Sequence, residues 1–232
     1  GHLLGNRFRI TVVDLAVPQE EALARAQAVA AAIALRGVPN FFGPQRFGID
    51  GANVEKGRKA LLGQGPRGDK WLNRLMISAY QSHLFNQYLT QRIELGLFEQ
   101  LLAGDVCKKA DTGGMFEVQD AAVEQPRYAR GEITFTGPIY GKKMWAAQGP
   151  AAELEARILA EAELTEDDLR RVHTDGTRRP ARLWLPAIEL APCDDGLQVD
   201  FVLPKGAYAT VVLREFMKSD EGADQFADAP DE

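Results

Sequence analysis

The 232 residues predict an α+β fold whose middle section interrupts an α/β frame. Three observations carry that expectation. The chain opens on an alternating strand followed at once by an apolar-faced helix. A glycine-rich connector, GQGPRGDKW at 63–71, then precedes a helix and a change of texture to short strands and glycine turns. The end returns to an alternating strand, a Pro-Gly turn and a closing helix.

Each element has a local reason. RFRITVVDL sets Phe8, Ile10 and Val12 against Arg9 and Thr11, the two-residue period of a half-buried strand. Pro18 opens a helix at the position that tolerates a missing N–H, and Glu20 and Glu21 complement its dipole. Leu23, Ala26, Ala30, Ile33 and Ala34 form its apolar face, and Gly37 is its stop. WLNRLMISAYQSHLFNQYLTQRIELG predicts a long helix with Leu72, Leu75, Met76, Ala79, Phe85, Tyr88 and Leu89 inward. GDVCKKADTGGMFEV and GEITFTGPIYGKKM read as strands. Acidic helices follow, one opening at Pro150 and one at a Thr165/Asp168 capping pattern. Leu197, Val199, Phe201 and Leu203 alternate inward on the last strand. No repeat of solenoid length is present.

Composition narrows the partners. Net charge is -6, yet residues 1–65 hold eight Lys or Arg against five Asp or Glu, while 220–232 hold six acids and no base. That tail reads as disordered, and the rest leaves room for a local basic face. Two cysteines and three histidines, widely spaced, form no zinc or disulfide pattern, which fits a reducing, cytoplasmic setting. No apolar run reaches membrane-spanning length. There is no Walker A loop, dinucleotide fingerprint, His-Glu-x-x-His or Gly-x-Ser-x-Gly motif.

One stretch stands apart: NFFGPQRFG at 40–48 puts three rings, two glycines, a proline, Asn40 and Arg46 into a turn. A base taken out of its helix needs a π-face in place of lost stacking, an amide for its edge and a cation for its phosphate. The competing explanation is that the rings anchor a tight turn in the core. Phosphate contacts from Arg7, Arg9, Lys56, Arg58 and Lys59 would accompany the first reading.

GNRFRI, then PNFFGPQRFG, FTGPIYG and LPKGAYATVVLRE occur in an order that resembles the TruD family of tRNA pseudouridine synthases over residues 1–217. The resemblance implies a pseudouridine synthase catalytic domain, a mixed and largely antiparallel sheet with flanking helices, interrupted by an α/β insertion. Its boundaries are expected as catalytic 1–65, insertion 66–182, catalytic 183–219 and tail 220–232. The implied reaction isomerises uridine 13 of the tRNA D-arm to pseudouridine after base flipping, without cofactor or metal, by a monomer acting on tRNA. Asn40, Phe42 and Tyr208 match positions lining the family site. Tyr208 stands where phenylalanine is usual, and Phe41 and Phe47 are expected beneath the turn. The family's nucleophilic aspartate lies in a Gly-x-Lys-Asp segment ahead of the first motif, and no part of this chain matches it. The nucleophile is therefore expected upstream, on a segment that would partner this chain, leaving the chain alone inactive. The alternative is a catalytically silent RNA-binding module that keeps the base pocket.

Overall fold

The computed structural model describes residues 5–65, 70–171, 174–185 and 187–218. The acidic tail 220–232, the centre of the connector at 66–69, His2 and His173 lie outside the described residues. In chain order the elements begin β1 (Gly5–Val12), α1 (Gln19–Arg36), β2 (Val38–Pro39), α2 (Ala52–Leu61) and α3 (Lys70–Glu94). There follow β3 (Val106–Lys109), β4 (Met115–Glu117), α4 (Ala121–Ala129), β5 (Ile133–Ile139), α5 (Gly149–Glu161) and α6 (Glu166–Arg171). The last are β6 (Thr177–Pro180), β7 (Arg182–Leu183), β8 (Ile188–Cys193), β9 (Gly196–Pro204) and α7 (Ala209–Met217). They divide between two compact units, one built up to Gly43 and from Arg182 onward, the other Pro44–Ala181. Every strand pairing among the described residues is antiparallel.

In the first unit β9 lies between β1 and β8, and β2 pairs with β7. Alternation along β1 turns Phe8, Ile10 and Val12 onto a core that includes Val199, Phe201 and Leu203 of β9. Phe8 stands opposite Phe201 in register, with the ring centroids 5.7 Å apart. Ile33 of α1 and Val212 and Leu213 of α7 close the same core. The apolar face of α1 is narrower than expected: Ala34 is exposed, because it falls one residue past Ile33, beyond the stripe that faces the sheet. Gly37 ends the helix at φ 68, its N–H bonding the Ile33 carbonyl at 2.7 Å. On the outer face of the sheet, Arg7 and Arg9 donate to the buried Asp200 carboxylate at 2.8 and 3.0 Å. The hydrogen bond from Arg7, followed by that from Arg9, holds Asp200 below the usual carboxylate range.

The second unit carries a sheet in the order β4-β3-β5-β6 with α3 packed on β5. Leu84, Phe85, Tyr88 and Leu89 are fully buried, as the helical period predicts. Leu75 is instead 37% exposed. Gly57 lets α2 approach α3: a Cβ there would lie 2.1 Å from the Met76 carbonyl oxygen. The Thr165/Asp168 pattern closes as a reciprocal cap, with Asp168 N–H donating to Thr165 Oγ1 at 3.2 Å and Thr165 N–H to Asp168 Oδ2 at 2.9 Å. Helix α4 was not apparent in the sequence. It forms despite the internal Pro126 because Asp120 accepts from the N–H groups of Ala122 and Val123.

Among the described residues, two ion pairs are buried in this unit. Arg92 forks onto Asp105 at 2.9 and 3.0 Å, donates to the Gln100 carbonyl at 2.8 Å, and lies 4.0 Å above the Phe135 ring. Arg178 reaches Glu155 at 2.7 Å and Thr136 Oγ1 at 2.9 Å. Burial pushes the Glu155 carboxyl up even so, with Arg178 opposing. FTGPIYG is thus largely interior: Phe135 and Tyr140 are buried, and the Tyr140 hydroxyl donates to the Glu155 carbonyl at 2.8 Å.

Candidate functional site

The candidate site in the first unit starts where β2 ends. Pro39 faces Arg182 across the β2–β7 ladder, and the next residue, Asn40, is 4% exposed. Phe41 and Phe42 follow, both half-buried, and then a buried Gly43. A second segment arrives from far along the chain. Strand β9 runs into a turn closed by Ala207 N–H on the Pro204 carbonyl at 3.1 Å, and Tyr208 then stands as the N-cap of α7 in extended conformation. Because Thr210, Val211, Val212 and Leu213 are buried, α7 is seated on the core and Tyr208 has little freedom to move with it.

These two segments bring Phe42 and Tyr208 together. Their centroids are 5.9 Å apart at an interplanar angle of 61°, an edge-to-face contact. Such a contact covers one ring's face with the other's edge, and both rings remain only partly buried. Beside them the Arg214 guanidinium lies 5.6 Å above Phe41, so Phe41 meets α7 while Phe42 meets its N-cap. Arg214 was not among the residues singled out in the sequence. Its signal was weak, a single arginine on an apolar closing helix.

Of the expected site residues, then, Asn40, Phe42 and Tyr208 belong to the first unit, and Phe42 touches Tyr208. Arg46 belongs to the second. Its guanidinium donates to Ser82 Oγ at 3.2 Å and to Ser78 Oγ, one turn apart on α3. Phe47, also in the second unit, sets its edge against His83 at 6.2 Å, and His83 stacks on Tyr80. Burial lowers the imidazole's affinity for a proton there. The expected phosphate ligands are more occupied than the sequence suggested. Arg7 and Arg9 share Asp200, Arg58 pairs with Glu163 at 3.1 Å, and Lys59 with Glu55 at 3.3 Å. No helix among the described residues is long and apolar enough to cross a membrane.

Comparison with known proteins agrees with this architecture. A tRNA pseudouridine synthase D from Anaeromyxobacter sp. (strain Fw109-5) is 49% identical over 227 residues, 94% of this chain and 63% of that protein. One from Thermus thermophilus is 43% identical over 218 residues, 94% of this chain and 59% of that protein. The chain therefore spans about three fifths of the length of these relatives. In fold it is similar to the crystal structure of a TruD protein from Methanosarcina mazei, with a TM-score of 0.81 and 24% identity, covering 96% of this chain and 71% of that one. The model of the family described as tRNA pseudouridine synthase D (TruD) matches residues 1–64 and 67–216. With nearly the whole chain matched, and relatives at such identity, it belongs to the TruD family.

Proposed function

We propose that this chain forms the base-holding part of a tRNA pseudouridine synthase, with Phe42 and Tyr208 gripping a flipped uracil. The observation that carries the reading is the Phe42–Tyr208 ring contact, half-open to solvent, in a member of the TruD family. Isomerising uridine breaks the bond between uracil N1 and ribose C1′ and makes one between C5 and the same carbon. The hydrogen displaced from C5 is lost as a proton and N1 gains one, so nothing is oxidised or reduced. Between the two steps the uracil is held only by non-covalent contacts and must turn in its own plane. Aromatic faces suit that need, because stacking is worth about 1–3 kcal/mol per base and tolerates in-plane rotation. Asn40 is assigned an amide contact to the base edge, where its carbonyl and NH₂ match a pyrimidine's donor and acceptors. Arg46 is assigned to the RNA phosphate, with Ser78 and Ser82 orienting it. No residue of this chain is assigned as the nucleophile.

The finer expectations belong to the same reading: tRNA as substrate, uridine 13 as target, a monomer, a cytoplasmic setting, and 66–182 as a family insertion. The compact unit Pro44–Ala181 contains nearly all of that stretch together with α2. The test uses the protein that carries this chain and tRNA tritiated at uracil C5. Release of tritium, with pseudouridine mapped to the D-arm, is the expected outcome. Tight tRNA binding without tritium release would leave the silent binding module in place of the enzyme.

A further inference from the structure

The second unit carries a polar groove of about 420 Å³ that the ring site does not use. One wall is α3, where Arg74, Ser78 and Gln81 line the groove at spacings of four and three that keep them on one side of the helix. The other wall is the segment containing Thr174, Asp175 and Thr177. It is fixed in place: Gln81 donates to Thr174 Oγ1 at 3.2 Å, and Lys143 N–H donates to the Asp175 carbonyl at 2.7 Å.

Charge in this groove is unbalanced. Arg74 is exposed and makes no ion pair or hydrogen bond among the described residues. Asp175, the carboxylate in the lining, is already bound to Lys143 Nζ at 3.2 Å. Arg74, beside the Ser78, Thr174 and Thr177 hydroxyl groups and facing a neutralised acid, forms a site for an anion of phosphate chemistry. Trp71 adds a preference among phosphates. It is 72% exposed and lies three residues before Arg74 on the same stripe. An open indole beside an unpaired guanidinium is what a nucleic-acid strand engages, base on ring and phosphate on cation; a free phosphate ion has no use for the ring.

We propose that this groove holds one phosphodiester of an RNA strand on Arg74, with the adjoining base stacked on Trp71. The assignment rests on the RNA-modifying reading above. It is tested by tRNA affinity across a salt series, in the protein that carries this chain. Arg74→Gln removes one phosphate contact. The log–log salt slope then falls by about 0.7–0.9, which is about five- to eightfold in affinity at 0.1 M salt, while Arg74→Lys keeps the slope. Trp71→Ala weakens binding about five- to 150-fold with the slope unchanged, since stacking releases no counterions. Both side chains are exposed, so melting temperatures stay within the wild-type range and report folding. Wild-type binding with Arg74→Gln unchanged in affinity and slope overturns this site and leaves the proposed function standing. Absence of tRNA binding by the wild type overturns both. Equal competition by polyglutamate would mean an unspecific anion patch and likewise overturns the site.

Discussion

Replacing Phe42 by alanine separates a ring that holds substrate from one that holds the fold. On the substrate side, loss of one stacking face removes about 1–3 kcal/mol, or about five- to 150-fold in base capture or turnover. On the stability side the loss is smaller than for a core ring. Phe42 is half-buried and meets the Tyr208 ring edge to face at 5.9 Å. Such a pair is worth about 0.5–1.5 kcal/mol, so with partial loss of apolar burial the expected cost is about 1–2 kcal/mol. Phe201, 2% exposed at the centre of the first unit, provides the contrast, where truncation costs about 3–5 kcal/mol. The assay pairs tritium release under single-turnover conditions with urea unfolding of the same preparations. A double-mutant cycle with Tyr208→Ala adds a coupling term, expected in activity as well as in stability if, as proposed, both rings grip one base. Normal pseudouridine formation by folded Phe42→Ala protein would refute the assignment. So would a destabilisation equal to that of Phe201→Ala with unchanged activity per folded molecule.

Three further outcomes concern the scaffold. Asp105→Ala leaves the Arg92 guanidinium buried without its carboxylate and is expected to cost about 3–5 kcal/mol in chemical denaturation, far more than removal of an exposed pair such as Arg170–Glu166. Asp200 has a lower proton affinity folded than unfolded, so its contribution to stability is present above the ordinary carboxylate range and is lost as pH falls through its folded value. Asp200→Asn should flatten the acid limb of the stability curve measured by urea midpoints, and an unchanged limb would contradict the Arg7 and Arg9 bonding. Gly57→Ala places a methyl 2.1 Å from the Met76 carbonyl oxygen, which forces α2 from α3 and is expected to lower stability by about 1–3 kcal/mol, read as a fall in melting temperature.

What the sequence disclosed was mostly local. The alternation of β1 and β9, the stop of α1 at Gly37 and the cap at Thr165 all depend on neighbours a few residues apart, and the structure has them. The face of α1 was misjudged at Ala34 and that of α3 at Leu75, because a helical period locates a stripe but not the width of what it packs against. Arg7 and Arg9 read as open phosphate ligands; their partner Asp200 lies more than 190 residues away, beyond any local pattern. The serines that hold Arg46 lie 36 and 32 residues further on, also outside any local pattern. The meeting of Phe42 with Tyr208 was reachable only through motif resemblance, since no periodicity links a turn near residue 42 to a helix cap near residue 208.

The short ladder of β2 and β7 has a topological consequence. Val38 faces Leu183 and Pro39 faces Arg182, so the chain departs from the first unit and comes back to it at neighbouring points on one small sheet. Everything from Pro44 to Ala181 is, from the standpoint of the first unit, a single excursion between paired strands. Chains accept exchange of such excursions more readily than cuts through a core, because the flanking backbone already lies where a short turn can join it. The ring pair of Phe42 and Tyr208, together with α1, α7 and the β1-β9-β8 sheet, lies wholly outside the excursion. A connection of hairpin length in its place would therefore detach the ring pair from the groove beside Arg74, and under the proposed assignments base capture and strand capture would become separable properties of one polypeptide.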